Sequence, residues 1–303
     1  MNKWLKRIGV GLGLVAGVLV LAAAGVWTYG GWLDTRTLTA PSAVKAWVQA
    51  APNPELVARG AHLATAITKC VDCHGDDLGG TKFIEDPALG NVTASNLTTG
   101  KGGKIASYDD AALVRLLRHG IKADGTPALV MPSDEYTHLA DDDLAAIIAY
   151  VRSVPAVDRE LPAKNLKLVA RGLLTGRVIR HPYDAIDHAA TAPATMPVGE
   201  TVEYGTYIAT VGGCIGCHGP GLSGGKIPGA PPEFKPAANI TPTGIGAYTE
   251  ADFFKVMREG VRPGGTPVDP SMPFRLTKLM TDTEIKAVYA YLKTVPAKEY
   301  GNR

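Results

Sequence analysis

The sequence predicts a mainly α-helical chain: two tandem copies of one small helical unit behind a single N-terminal transmembrane helix. Three observations predict it. An uncharged run from Ile8 to Leu33 follows Lys3, Lys6 and Arg7. The rest of the chain writes one pattern twice, offset by 144 residues at its cysteines, 140 at its tyrosines and 141 at its end. Helix start and stop signals recur at the same places in both copies, and no segment reads as a run of strands.

At 303 residues the chain has room for about two domains with sizeable cores. A net charge of +2 offers no basic excess for nucleic acid and no acidic block typical of disorder. The 35 glycines and 22 prolines imply many turns and long irregular loops. Aromatic residues make up only 7%, thin for two cores unless a large apolar group fills each of them.

The segment 1–33 reads as the anchor. About 20 apolar residues span a bilayer as a helix, and Ile8–Leu33 exceeds that. Trp4 marks one end and Trp27, Tyr29 and Trp32 the other, as in the aromatic belts of membrane helices. The basic end stays cytoplasmic, so everything after Asp34 is exported. A cleaved signal peptide ending at Ala22-Ala23-Ala24 is the alternative, with the same compartment. Gly9, Gly13 and Gly17 line one helix face and could admit a partner transmembrane helix.

A linker, 34–53, leads to the first copy, 54–158; a second linker, 159–199, leads to the second copy, 200–303. Each copy reads as three helices. The first opens at Asn53-Pro54, a cap followed by proline, and carries Leu56, Leu63 and Ile67 on one face. Its counterpart carries Tyr204, Tyr207, Ile208 and Val211. The middle helix follows Asp109 or Thr249 and ends at Gly120 or Gly260. The last begins near Asp141 or Asp282 and stops before Pro155 or Pro296. Within 159–199, Leu166–Arg180 reads as a short amphipathic helix in a segment that packs against both copies, with a docking surface for a larger subunit as the alternative.

The four cysteines fall in two identical frames, Cys70-Val-Asp-Cys73-His74 and Cys214-Ile-Gly-Cys217-His218. C-x-x-C-H is the attachment motif of c-type haem: the thiols reach the two vinyl groups of one porphyrin, and the adjacent histidine sits under the iron. A four-thiolate zinc site would leave both histidines as coincidences, and a redox dithiol would want a βαβ setting. The expected cofactors are therefore two covalently bound haem c groups, on Cys70 and Cys73 and on Cys214 and Cys217. The first axial ligands are His74 and His218. Met131 and Met272, each followed by proline and each 19 residues before the tyrosine of the last helix, are the matched candidates for the second. A thioether ligand raises the potential relative to a second histidine and closes the iron to substrate. His62, His119, His138, His181 and His188 do not repeat and read as structural. Tyr108/Tyr248 and Asn96/Asn239 do repeat and could orient loops or reach haem propionates. Residues 55–158 carry 15 acidic against 9 basic side chains, whereas 200–303 carry 10 and 11, so the first copy should meet a basic partner.

The motifs resemble the class I cytochrome c fold in tandem, and most of all the membrane-associated cytochrome c subunits of periplasmic alcohol, gluconate and sorbitol dehydrogenases. The residues carrying this are Cys73-His-Gly75 and Cys217-His-Gly219, the turns Leu78-Gly-Gly80 and Leu222-Ser-Gly-Gly225, the stretch Asn239–Phe253, Met272-Pro-Phe, and the basic segment after the first copy. The resemblance covers nearly all of 54–303. It implies a carrier of electrons from a periplasmic donor to a respiratory-chain acceptor, without catalysis of its own, held at the bacterial inner membrane with its haem domains on the periplasmic side. Such subunits carry three haems, and this chain has two motifs. A dihaem cytochrome oxidase subunit resembles it less, its motifs lying closer together. A dihaem redox enzyme, a peroxidase or a thiosulfate-oxidising cytochrome, is the alternative, and it would need an open or unusually ligated iron.

Overall fold

The computed structural model describes residues 3–39, 53–230 and 234–303. Of the linker expected at 34–53, residues 40–52 lie outside these. The chain begins with the single helix α1 (Lys3–Thr35). In the first copy α2 (Pro54–His62) starts where the Asn53 side chain accepts from the Leu56 amide at 2.7 Å, and it runs on through a π-helical turn at Leu63–Ile67. A one-turn helix, α3 (Cys70–His74), follows, then a hairpin of β1 (Thr81–Asp86) and β2 (Gly90–Ala94). Next come α4 (Asp110–His119), capped by Asp109 and closed by a left-handed Gly120, the short α5 (Ser133–Tyr136), and α6 (Asp141–Ser153). The connecting segment supplies β3 (Asn165–Leu166) and α7 (Leu168–Thr175).

The second copy repeats this order with α8 (Val202–Val211), α9 (Cys214–His218), α10 (Pro242–Ile245), α11 (Glu250–Glu259), α12 (Phe274–Thr277) and α13 (Asp282–Thr294). Its caps are stronger. Thr249 with Asp252 and Thr281 with Glu284 form reciprocal capping boxes. By contrast, α6 begins at Ala140, which has no side chain to offer. Its orphan amides are satisfied from the linker instead: Asp141 and Asp142 donate to the carbonyls of Pro193 and Ala194 at 2.9 and 3.1 Å.

In each copy the first helix crosses the last at a glycine. A Cβ on Gly60 would overlap the Ala146 carbonyl of α6, and one on Gly205 would overlap the Ala287 carbonyl of α13. The helices approach to backbone contact, and Leu63, Ile67, Leu144 and Ile147 fill the space beside the first crossing as Ile208, Val211, Ile285 and Val288 fill it beside the second.

The two copies share one continuous core and meet through an exchange of carboxylate contacts. Asp143, in the first turn of α6, is 1% exposed; it pairs with Arg59 of its own copy and accepts from the Tyr207 hydroxyl of the other at 2.7 Å. Glu284, in the first turn of α13, is 4% exposed; it accepts from the Tyr204 hydroxyl of its own copy at 3.5 Å and lies 2.9 Å from His62 Nε2 of the other. Residues 59 and 204 immediately precede the crossing glycines, and 62 and 207 follow them by two. The contact is a pseudo-two-fold one, as between identical subunits. Around the same axis Lys69 Nζ donates to the Gly212 carbonyl at 2.6 Å, and Arg275 of α12 pairs with Asp72 of α3 at 2.8 Å.

Two features differ from the sequence expectation. The first copy does contain strands: β1 and β2 pair antiparallel with a bulge between Lys82 and Ile84, and β3 adds to β2. The sequence hides them because both faces of the hairpin are partly solvated, so no clean alternation of apolar and polar residues develops. In the second copy an isolated Gly225–Ala237 bridge stands at the corresponding place. The segment 159–199 lies against the first copy, its Ile179 comes close to Gly229 of the second, and its helix α7 packs across α1. Below that crossing Asp34 pairs with Lys164 at 2.5 Å, and Leu38 donates to the Gly125 carbonyl at 2.9 Å.

Substituting Gly60→Ala or Gly205→Ala forces the helix pair apart and should destabilise the protein by about 1–3 kcal/mol or more, read by denaturant unfolding. Burial pushes the Glu284 carboxyl up, but His62 and the Thr281 cap outweigh it and hold it below the usual carboxylate range. A depressed carboxyl contributes stability above its unfolded value of about 4.3 and loses it as pH falls through the folded value. Thermal melts between pH 7 and pH 3 should therefore show a smaller acid-induced loss in Glu284→Gln than in the natural chain.

Candidate functional site

Each motif helix is framed by a left-handed residue before it and a glycine after it. Lys69 (φ 52°) precedes α3 and Gly213 (φ 74°) precedes α9, while Gly75 and Gly219 follow at φ 81° and 83°. The loop beyond then turns back on the histidine: Gly80 donates to the His74 carbonyl at 2.7 Å and Gly224 to that of His218 at 2.9 Å. At the bend Leu78 and Leu222 are buried and also left-handed, at φ 53° and 58°. A branched apolar residue held there in both copies stores backbone strain, which the surrounding loop must over-determine. The sequence pattern marked these turns by their glycines and gave no sign that the leucines bear the strained angle.

The two histidines are oriented alike. His74 Nδ1 lies 2.7 Å from the Ser95 carbonyl, and His218 Nδ1 lies 2.7 Å from the Ala238 carbonyl. A carbonyl only accepts, so Nδ1 carries the proton and Nε2 keeps its lone pair. Burial lowers the pKa of both rings, against the pull of these carbonyls, and keeps them neutral. A neutral imidazole with one nitrogen tied to a carbonyl is the usual state of an axial metal ligand.

Cys70, Cys73, His74 and Met131 line one cavity of about 690 Å³, with Tyr108, Leu113 and Ile148 among its apolar walls. That volume suits a large organic cofactor. Lys104 and Lys122 also lie on its lining and offer cations to a group bearing carboxylates, while Lys164 there is paired with Asp34. In the second copy Cys214 and Met272 sit against the shared core, half-buried like their counterparts. Among the described residues no group of three or more His, Cys, Asp or Glu side chains gathers to hold a bare metal ion. Burial raises the Cys73 thiol to about 11 and also pushes Cys70, Cys214 and Cys217 up. Reactive dithiols are tuned the other way, so these are poor redox thiols.

The repeated asparagines are structural. Asn96 donates to the Val157 carbonyl and accepts from Thr98; Asn239 donates to the Lys298 carbonyl and accepts from Thr241, with both donations at 2.7 Å. They pin the loop beneath each histidine to the strand-like exit of the last helix, and their amides are committed to the chain. Tyr108 lines the cavity, while Tyr248 packs on the shared core. The other histidines take separate places: His62 at the junction, His181 buried near Asp34, and His119 3.0 Å from His188. One group was not singled out by the sequence. Glu135 on α5 reaches across to Gly213 and Gly216 of the other copy. Burial, reinforced by Asp134 and opposed by Lys69, raises its carboxyl to about 7, so near neutral pH it carries only part of a charge beside the second attachment motif.

Residues 57–155 and 202–296 each match the cytochrome c family. The chain is 29% identical to the fructose dehydrogenase cytochrome subunit of Gluconobacter japonicus over 80% of its own length and 53% of that protein. It is 38% identical to the gluconate 2-dehydrogenase cytochrome c subunit of Pantoea cypripedii over 30% of this chain and 22% of that one. It thus spans about half the length of the first of these relatives and less of the second. Against the dihaem cytochrome c-type protein of Cereibacter sphaeroides the identity is 27%, over 97% of this chain and 99% of the other. With both repeats matched and two attachment motifs in place, the chain belongs to the cytochrome c family and carries two covalently bound haem c groups for electron transfer.

Proposed function

We propose that this chain is a membrane-anchored dihaem carrier that takes electrons from a periplasmic dehydrogenase and passes them to a respiratory-chain acceptor, with no catalysis of its own. The observation that carries this reading is the meeting of Cys70, Cys73, His74 and Met131 around one cavity, with His74 held by a carbonyl just as His218 is. Cys70 and Cys73 would hold the first haem through thioether bonds, and Cys214 and Cys217 the second. His74 and His218 would offer Nε2, and Met131 and Met272 their thioethers, as ligands to the irons. Bound in this way, each haem supplies a one-electron iron couple. The protein's part is to exclude water and hold these ligand side chains in place; with all four engaged, neither iron would be free for peroxide, which disfavours a peroxidase.

A dehydrogenase donor is supported by relatives that are cytochrome c subunits of fructose and gluconate dehydrogenases. The anchor is argued from α1, which is long and apolar enough to cross a membrane. Its Lys3, Lys6 and Arg7 keep that end cytoplasmic and put both haem domains, 54–158 and 200–303, in the periplasm. Gly9, Gly13 and Gly17 face open space and offer a close-packing face to a transmembrane helix of the partner complex.

In the natural chain both haems should be low-spin, show the near-infrared methionine-to-iron band and ignore carbon monoxide. Met131→Ala should remove about half of that band and open one haem to carbon monoxide, and Met272→Ala the other. An undiminished band in either variant overturns that ligand. Because the first copy carries 15 acidic and 9 basic residues, a basic partner should reduce or oxidise it more slowly as ionic strength rises. Stopped-flow rates that do not fall with salt would exclude such steering.

A further inference from the structure

We propose that α7 and the turn after it form a second contact with the lipid bilayer, lying in the headgroup–acyl boundary beside the anchor. The inference rests on the reading that α1 spans the membrane. A hydrocarbon core of about 30 Å takes up about 20 helical residues. Counted from Ile8, the first residue beyond the basic cluster, the core ends near Trp27, and Tyr29 and Trp32 fall in the interface.

That is the level at which α7 crosses. A Cβ on Gly172 would lie 3.7 Å from Val26, and Gly30 lies against the backbone of Arg171. Arg171 donates to the Trp27 carbonyl at 2.9 Å, and its guanidinium sits 3.8 Å from the centre of the Trp27 ring. The depth of α7 is therefore set by α1. One side of α7 is used inside the protein, where Ala170 and Leu174 join Leu166 in a small core with Leu33, Leu89 and Val92. The other side is not. Leu168, Val169 and, just beyond the helix, Val178 are 42%, 50% and 60% exposed. Arg177 and Arg180 are exposed beside Val178, and Lys167, whose Nζ donates to the Pro87 carbonyl at 2.8 Å, is exposed beside Leu168.

Apolar side chains interleaved with cations at the depth of an aromatic belt match an anionic lipid surface. The valines and leucine enter the acyl boundary, and the basic heads reach lipid phosphates. A protein subunit covering this face would have to enter the same headgroup layer.

The test uses the full-length, haem-loaded protein in vesicles of phosphatidylcholine and phosphatidylglycerol. A lipid-dissolved diazirine is photolysed there, and the labelled peptides are mapped by mass spectrometry. Label is expected on peptides from both 8–27 and 166–180. Val169→Asp combined with Val178→Asp should cut the label on 166–180 several-fold, leave that on α1 unchanged and leave the haem spectrum as it was. Label on α1 with none on 166–180 overturns the proposal, whether water or a protein covers the face, while the anchor stands. No label on α1 overturns the spanning reading and this inference with it.

Discussion

The backbone contact at each helix crossing is the constraint on which the rest of the structure depends. Because Gly60 meets Ala146 and Gly205 meets Ala287 without side chains between them, the first and last helix of each copy are fixed in angle and depth. The attachment motif begins shortly beyond the first helix, and the methionine loop leads into the last. The crossing thus sets the span between His74 and Met131, and between their counterparts. It also places Arg59 and His62 on either side of Gly60 and Asp143 at the facing helix start, so the same contact prepares the surface through which the two copies join.

Much of this was legible in the sequence, for local reasons. Caps such as Asn53, Asp109 and Thr249, and stops such as Gly120 and Gly260, act within a few residues and read directly. The C-x-x-C-H frames carry their chemistry in five positions, and the methionines stood out because duplication acts as an internal control. Contacts across long sequence separations were not legible. Nothing near His62 announces Glu284, 222 residues on, and nothing near Arg171 announces Trp27. The β1–β2 hairpin escaped because its strands are short and half-solvated. Leu78 and Leu222 escaped because a leucine looks the same in sequence whatever backbone angle the fold imposes on it.

Duplication has not left two equivalent halves. Among the described residues the hairpin and its β3 partner belong to the first copy, and so does the contact with the base of α1 through Leu38 and Gly125. The second copy has the better helix caps and attaches mainly through the junction. The acidic excess is confined to the first copy as well. The half tied to the long apolar helix α1 is thus also the acidic half.

The exchanged carboxylates have a history written in their lengths. On one side of the pseudo-axis a short acid, Asp143, meets a long phenol, Tyr207; on the other a longer acid, Glu284, meets a shorter imidazole, His62. Each pair spans its gap with a compensating reach. A symmetric dimer of either copy alone would pair long with long or short with short around the axis. The two copies therefore fit one another through matched reach, short acid to long phenol and long acid to short imidazole, and not through identical contacts.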